Sequence, residues 1–159
     1  MDKGQNNKGF SILEMIIVLA MMVILFVGAG AIMLNWRSWN VNDCIEKIDT
    51  ALGTAKIECM SKESSSLKIW KESDGYYLQV GSSEKKRIGD KETVIFYSDG
   101  TNTKEITDAT GLTLTYDRKD GSYMEIGTGV YCTKITVKRE DKERYIELVR
   151  KTGKHSVQK

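Results

Sequence analysis

Residues 8–36 read KGFSILEMIIVLAMMVILFVGAGAIMLNW, a hydrophobic run with one carboxylate, Glu14, close to its start. From Met15 to Leu34 no side chain is charged. A helix over those 20 residues is about 30 Å long, the thickness of a hydrocarbon core, so the segment is long enough to span a bilayer. A carboxylate carried to mid-bilayer costs up to about 3 kcal/mol, and less near an interface where it reaches water. The position of Glu14 is therefore affordable, but the length of the run does not explain it.

The nine residues before Phe10, MDKGQNNKG, are polar and carry Lys3 and Lys8. A positive flank ahead of the first apolar run keeps that end in the cytoplasm, so the long polar remainder is exported. Three fates fit such a start. A secretory signal has a candidate cleavage site, since Ala29-Gly30-Ala31 has the small-x-small pattern. Against it, the apolar run continues through Ile32, Met33 and Leu34 to Trp36, and a carboxylate is out of place in a signal's apolar region. A plain membrane anchor explains the length and leaves Glu14 without a role. A leader cut before the apolar run, instead of after it, uses every feature: Gly9, Phe10, Glu14 and the span that follows directly.

That third pattern, KGFSILEMIIVLAMMVIL, resembles the class III leader of type IV pilins and pseudopilins. The resemblance implies a leader ending at Gly9, Phe10 as the first mature residue and Glu14 as the fifth. It implies cleavage between Gly9 and Phe10 by a membrane-embedded prepilin peptidase on the cytoplasmic side, followed by N-methylation of Phe10. Glycine before the cut leaves room for close backbone approach. In the family's terms Glu14 pairs with the positive terminal amine of Phe10 on a neighbouring subunit, neutralising both charges in the apolar filament core and setting axial register. Desolvation offsets much of the Coulomb gain of such a pair, so it serves specificity more than stability. Many pilins hold a proline near position 31; this chain has Ala31 and no proline. Gly28 and Gly30 are either weak points, each costing about 1 kcal/mol relative to alanine, or small residues that permit close helix packing.

The 159 residues, 40% apolar and 29% charged, suit one folded domain plus an appendage. A net charge of +2 is too small to imply a general nucleic-acid or anionic-surface binder. Cys44, Cys59 and Cys132 are odd in number and lack C-x-x-C spacing, which indicates neither a disulfide framework nor a zinc site. The single histidine, His155, lies in the polar tail RKTGKHSVQK and reads as solvated, so no metal or catalytic centre is built on it.

Beyond the span, Val41, Ile45, Ile48, Leu52, Ala55 and Cys59 recur at intervals of three and four. That is an apolar stripe down one side of a helix, so a single helix is predicted from about Ile12 to about Met60, apolar all round at first and then amphipathic. Cys44 and Cys59 would lie about 22 Å apart on it, too far to bond. SKESSS, residues 61–66, ends the helix. The period then becomes two: Tyr76, Leu78 and Val80 share a face, as do Leu112, Leu114 and Tyr116, and Ile135 and Val137. Asp74-Gly75, Asp99-Gly100 and Asp120-Gly121 supply turns, and RYIELVR makes a last strand. Extending the alternation back from Lys134 and Thr136 puts Cys132 on their face, away from the core helix, and predicts three free thiols. Asp99-Gly100-Thr101-Asn102 lacks the further ligands of a metal loop and reads as a hairpin turn.

The expectation is an α+β chain: leader 1–9, membrane and filament-core helix 10–35, and an extracytoplasmic pilin-like head 36–159, with helix to about 60 and then antiparallel sheet. No triad, paired-carboxylate spacing or phosphate loop is present, so neither enzyme nor cofactor is expected. A filament subunit accounts for the leader, Glu14, the span and the striped helix. An anchored enzyme accounts only for the span. An exported binding module, or a minor pilin binding a ligand at a filament tip, is the alternative. Arg150, Lys151, Lys154 and Lys159 form a small basic tail that is a candidate DNA contact, but without interleaved aromatics they read as a solvated C-terminus. The implied partners are the prepilin peptidase, other pilin subunits, the membrane and assembly-platform proteins. The implied locations are the cytoplasmic membrane, single-pass, and then a pilus, competence pseudopilus or type II secretion pseudopilus.

Overall fold

The computed structural model describes residues 12–61 and 65–158, with side chains apart from those of 25–39. The order of elements is α1 (Ile12–Ser61), β1 (Ser66–Glu72), β2 (Gly75–Val80), β3 (Lys86–Gly89), β4 (Val94–Ser98), β5 (Thr103–Glu105), β6 (Leu112–Thr115), β7 (Lys134–Arg139), β8 (Lys142–Val149), a 3-10 turn (Arg150–Thr152) and β9 (Lys154–Gln158). The chain divides into two compact units, Met1–Trp36 and Arg37–Lys159.

In the second unit the stripe decides how α1 packs. Val41, Ile45, Ile48, Leu52, Ala55 and Cys59 are all buried, joined by Cys44 and Ala51. Fully burying an Ile or Leu contributes about 1.5–3 kcal/mol, so this face drives the packing rather than any local helix preference. It meets two antiparallel sheets instead of the one expected: a four-stranded sheet in the order β3-β2-β1-β6 and a five-stranded sheet in the order β5-β4-β7-β8-β9. Leu67, Ile69, Tyr76, Leu78 and Leu114 of the first, and Ile95, Ile135, Val137 and Ile146 of the second, join the helix stripe in one apolar core. The period-two readings hold, with Tyr76, Leu78 and Val80 buried together, Leu112, Leu114 and Tyr116 together, and Ile135 and Val137 together.

Turn chemistry follows the sequence. Glu72 pairs with Gly75 across the first hairpin, so Ser73 and Asp74 form its loop. In the β4–β5 hairpin the Asp99 carboxylate accepts from the amides of Thr101 and Asn102 at 2.8 and 2.6 Å. Those bonds hold its pKa below the ordinary carboxylate value, which makes the loop a capped turn.

Two expectations need correction. The RYIELVR strand is not the last. The tail continues into β9, which pairs with β8 from Tyr145↔Gln158 to Val149↔Lys154. Cys132 is not on the solvent side: residues 131–133 precede β7 as irregular backbone, so the alternation does not reach back, and the thiol is buried. Its Sγ lies 3.7 Å from the Lys134 carbonyl. All three cysteines are free thiols.

Candidate assembly site

The described part of α1 begins at Ile12, and Glu14 lies in its first turn, where the positive end of the helix dipole favours a carboxylate. From Ile12 to Ile24 every described side chain is exposed. Leu13 is 69% exposed, Ile16 58%, Ile17 47% and Ile24 71%, which puts apolar surface all round the helix with Glu14 as the one charge. In water each such side chain forfeits the stabilisation that burial would give, so a helix apolar on every face belongs inside protein or lipid. Among the described residues no helix is long and apolar enough to cross a membrane. Gly9 and Phe10 lie outside the described residues, and α1 is helical through Gly28 and Gly30.

The second unit carries a different kind of surface. His155 is brought against α1, its Nε2 3.4 Å from Asp49 Oδ1, so the residue expected in a solvated tail belongs to the fold. Lys56 donates to the Thr152 carbonyl at 2.7 Å, tying the last turns of α1 to the 3-10 turn. Arg139 bridges Asp90 at 2.7 Å and also contacts Glu92, clamping the β3–β4 loop to the end of β7. Tyr116 donates to the Leu52 carbonyl at 2.9 Å and lies against Tyr123, with ring centroids 4.8 Å apart. Burial pushes the Tyr116 phenol and the Cys44 thiol each up to about 12. These are signs of a dry core, not of chemistry. Among the described residues no group of three potential ligands could hold a metal.

Between α1 and the β2–β3 edge runs a cavity of about 530 Å³ with Leu78, Val80 and Ile88 along its floor. Sequence reasoning had no signal for it, because it depends on which strand stands beside the helix.

A family model for the prokaryotic N-terminal methylation motif matches residues 4–30. The chain carries the type IV pilin and pseudopilin signature. The match takes in the Gly9-Phe10 junction, Glu14 and the start of α1. Comparison with curated proteins and with solved structures gives no match to this chain. In the family that carries this motif, the chains are membrane-anchored structural subunits of surface filaments. The head's α+β architecture, one long helix against antiparallel sheets, is consistent with that class.

Proposed function

We propose that this chain is a structural subunit of a type IV pilus-like filament or pseudopilus. On this reading residues 1–9 are a leader, 10–35 the membrane and filament-core helix, and 36–159 the exported head. Prepilin peptidase cuts between Gly9 and Phe10, the new amine of Phe10 is methylated, and Glu14 pairs with that amine on a neighbour. The observation that carries the reading is a coincidence of place. The methylation motif at 4–30 runs into a helix whose described side chains up to Ile24 are apolar and exposed on every face, with a single carboxylate in its first turn.

Each feature has a physical use there. Copies of the apolar helix packed together remove that surface from water, and the carboxylate gives a packing that is otherwise greasy and unspecific a fixed register. Mass spectrometry and N-terminal sequencing of the chain from a host with a prepilin peptidase test the reading. The expected mature chain begins at a methylated Phe10. A mature chain beginning at Ile32 overturns it in favour of ordinary secretion.

A further inference from the structure

The outer face of the four-stranded sheet holds an arrangement that only the fold assembles. Along β1 the buried Leu67 and Ile69 alternate with Lys68 and Trp70, and along β2 the buried Tyr76, Leu78 and Val80 alternate with Tyr77 and Gln79. Trp70 and Tyr77 are therefore on the side turned away from the core, and the register sets them directly opposite each other on the two central strands. Their rings are 23° from parallel with centroids 6.2 Å apart, and the Lys85 ammonium lies 4.7 Å from the centre of the Tyr77 ring. On the side of Trp70 away from Tyr77, the register with β6, which pairs Ile69 with Leu112, brings Gly111. A Cβ at Gly111 would lie 3.5 Å from the Trp70 Cβ and would meet no other side chain within 4 Å, so no side chain at that position covers the indole.

The polar groups of the pair are spent inside the face. Trp70 Nε1 donates to Glu72 at 2.9 Å, and the Tyr77 hydroxyl donates to Asp74 at 2.8 Å. Lys85 donates to both oxygens of Glu72, at 2.8 and 2.9 Å. What the two rings still offer is surface, held in place before any ligand arrives. Two exposed cations share this side: Lys68, two residues before Trp70, and Arg87, which the register places opposite Tyr77. Among the described residues neither forms an ion pair, and Arg87 donates to the backbone carbonyls of Asp74 and Gly89.

We infer that this face binds single-stranded nucleic acid, one base stacking on the Trp70 indole above Gly111 and the neighbouring phosphates lying against Lys68 and Arg87. The inference does not depend on the filament reading above. Aromatic rings on the central strands of a four-stranded sheet, with cations beside them, are a means by which unpaired bases are held against a flat surface. The small net charge of the chain fits, because here stacking and not charge carries the affinity. A duplex keeps its base faces covered, and an anionic polysaccharide has no planar ring for the indole, so neither uses the open side of Trp70.

The full-length chain in detergent micelles, titrated with a dye-labelled oligodeoxythymidine and followed by fluorescence anisotropy, tests this. Binding should saturate, and log affinity should fall with log salt at a slope of about −1.4, from about −0.7 for each of two phosphates. Trp70→Ala should weaken binding by on the order of tenfold, Trp70→Phe should keep most of it, and Lys68→Ala should make the slope shallower by about 0.7. With bromouracil in the strand, ultraviolet light should couple it to the peptide that holds Trp70, a readout that a merely structural cross-strand pair would not give. Unchanged affinity of Trp70→Ala overturns the inference. So does equal affinity for a duplex of the same length or for heparin, and so does coupling confined to residues 150–159, where the basic tail alone would be the polyanion contact. Absence of saturable binding by the wild-type chain overturns it outright, and none of these outcomes touches the filament reading.

Discussion

Two stretches of one helix obey different rules. From Ile12 to Ile24 apolar side chains point in every direction and are exposed, whereas from Val41 to Cys59 they keep to a stripe and are buried. Backbone geometry is common to both, so the difference is one of partners. The later stretch shares one apolar core with residues of both sheets, and the side chains of the earlier one are exposed. A striped helix states how much of itself another layer will cover. A helix apolar all round leaves its partner to be supplied from outside, by lipid or by further copies. Glu14 is then the one feature of the earlier stretch able to distinguish one partner arrangement from another.

The sharpest way to break this contrast is at Glu14. Glu14→Ala or Glu14→Gln should leave the head folded and the leader cleaved while largely removing the chain from sheared filaments. Breaking a buried ion pair leaves the other charge uncompensated at about 3–5 kcal/mol, whereas a single copy in the bilayer keeps its amine at the wet interface. Incorporation of correctly processed Glu14→Ala at the wild-type level would reduce Glu14 to an accident of an anchor.

A comparison of Leu52→Ala with Ile17→Ala sharpens it from the other side. Leu52 is fully buried, so its truncation should cost the head about 2–5 kcal/mol in chemical or thermal unfolding. Ile17 is 47% exposed, and the same truncation should leave the unfolding midpoint of the head unchanged.

Next in size comes Gly153→Ala. Gly153 adopts φ of 55°, and an added Cβ would overlap the Gly121 carbonyl oxygen. Left-handed strain together with that clash should cost about 1–3 kcal/mol, read as a lowered denaturation midpoint with the helix content intact.

A further effect appears only in alkali, as a loss of stability in the head. Burial raises the Cys44 thiol from 9.0 to about 12, so the folded state favours the protonated form. Its contribution is complete below the unfolded value and is lost as pH rises towards the folded one, at about 1.4 kcal/mol per pH unit. The head's melting temperature should therefore fall from about pH 9 upward, and Cys44→Ala should flatten that slope.

Both halves of α1 were legible in the sequence because period and composition are local properties. The expected run of about Ile12 to about Met60 is helical throughout. The same holds for the strands around Tyr76, Leu112 and Ile135, whose alternation reflects one wet and one dry face. The tail was read as solvated because β9 has no such alternation: of Lys154 to Gln158 only His155 is other than exposed. Its strand character comes from backbone pairing with β8, which side-chain pattern does not record. Cys132 was misplaced because alternation was carried across an irregular segment. The division into two sheets was invisible for a related reason, since period two says which face is dry but not which strands are neighbours. Of the surfaces on the head, only the tail lysines could be seen in advance. The groove beside the helix is a product of chain segments far apart in sequence.

The tie between Lys56 and Thr152 spans 96 residues, and His155 reaches back to Asp49 from further along still. Chain order gives this a temporal meaning. Strands β7, β8 and β9 form a consecutive meander and need only short loops to close, but the flank of α1 that they secure is made first and receives its partners last. A chain that stops short of residue 150 keeps most of its strands and still lacks the groups that hold the helix on that side. A copy ended short of residue 150 should therefore show a loosened helix, read as faster amide exchange around Asp49 to Lys56 than in the full chain.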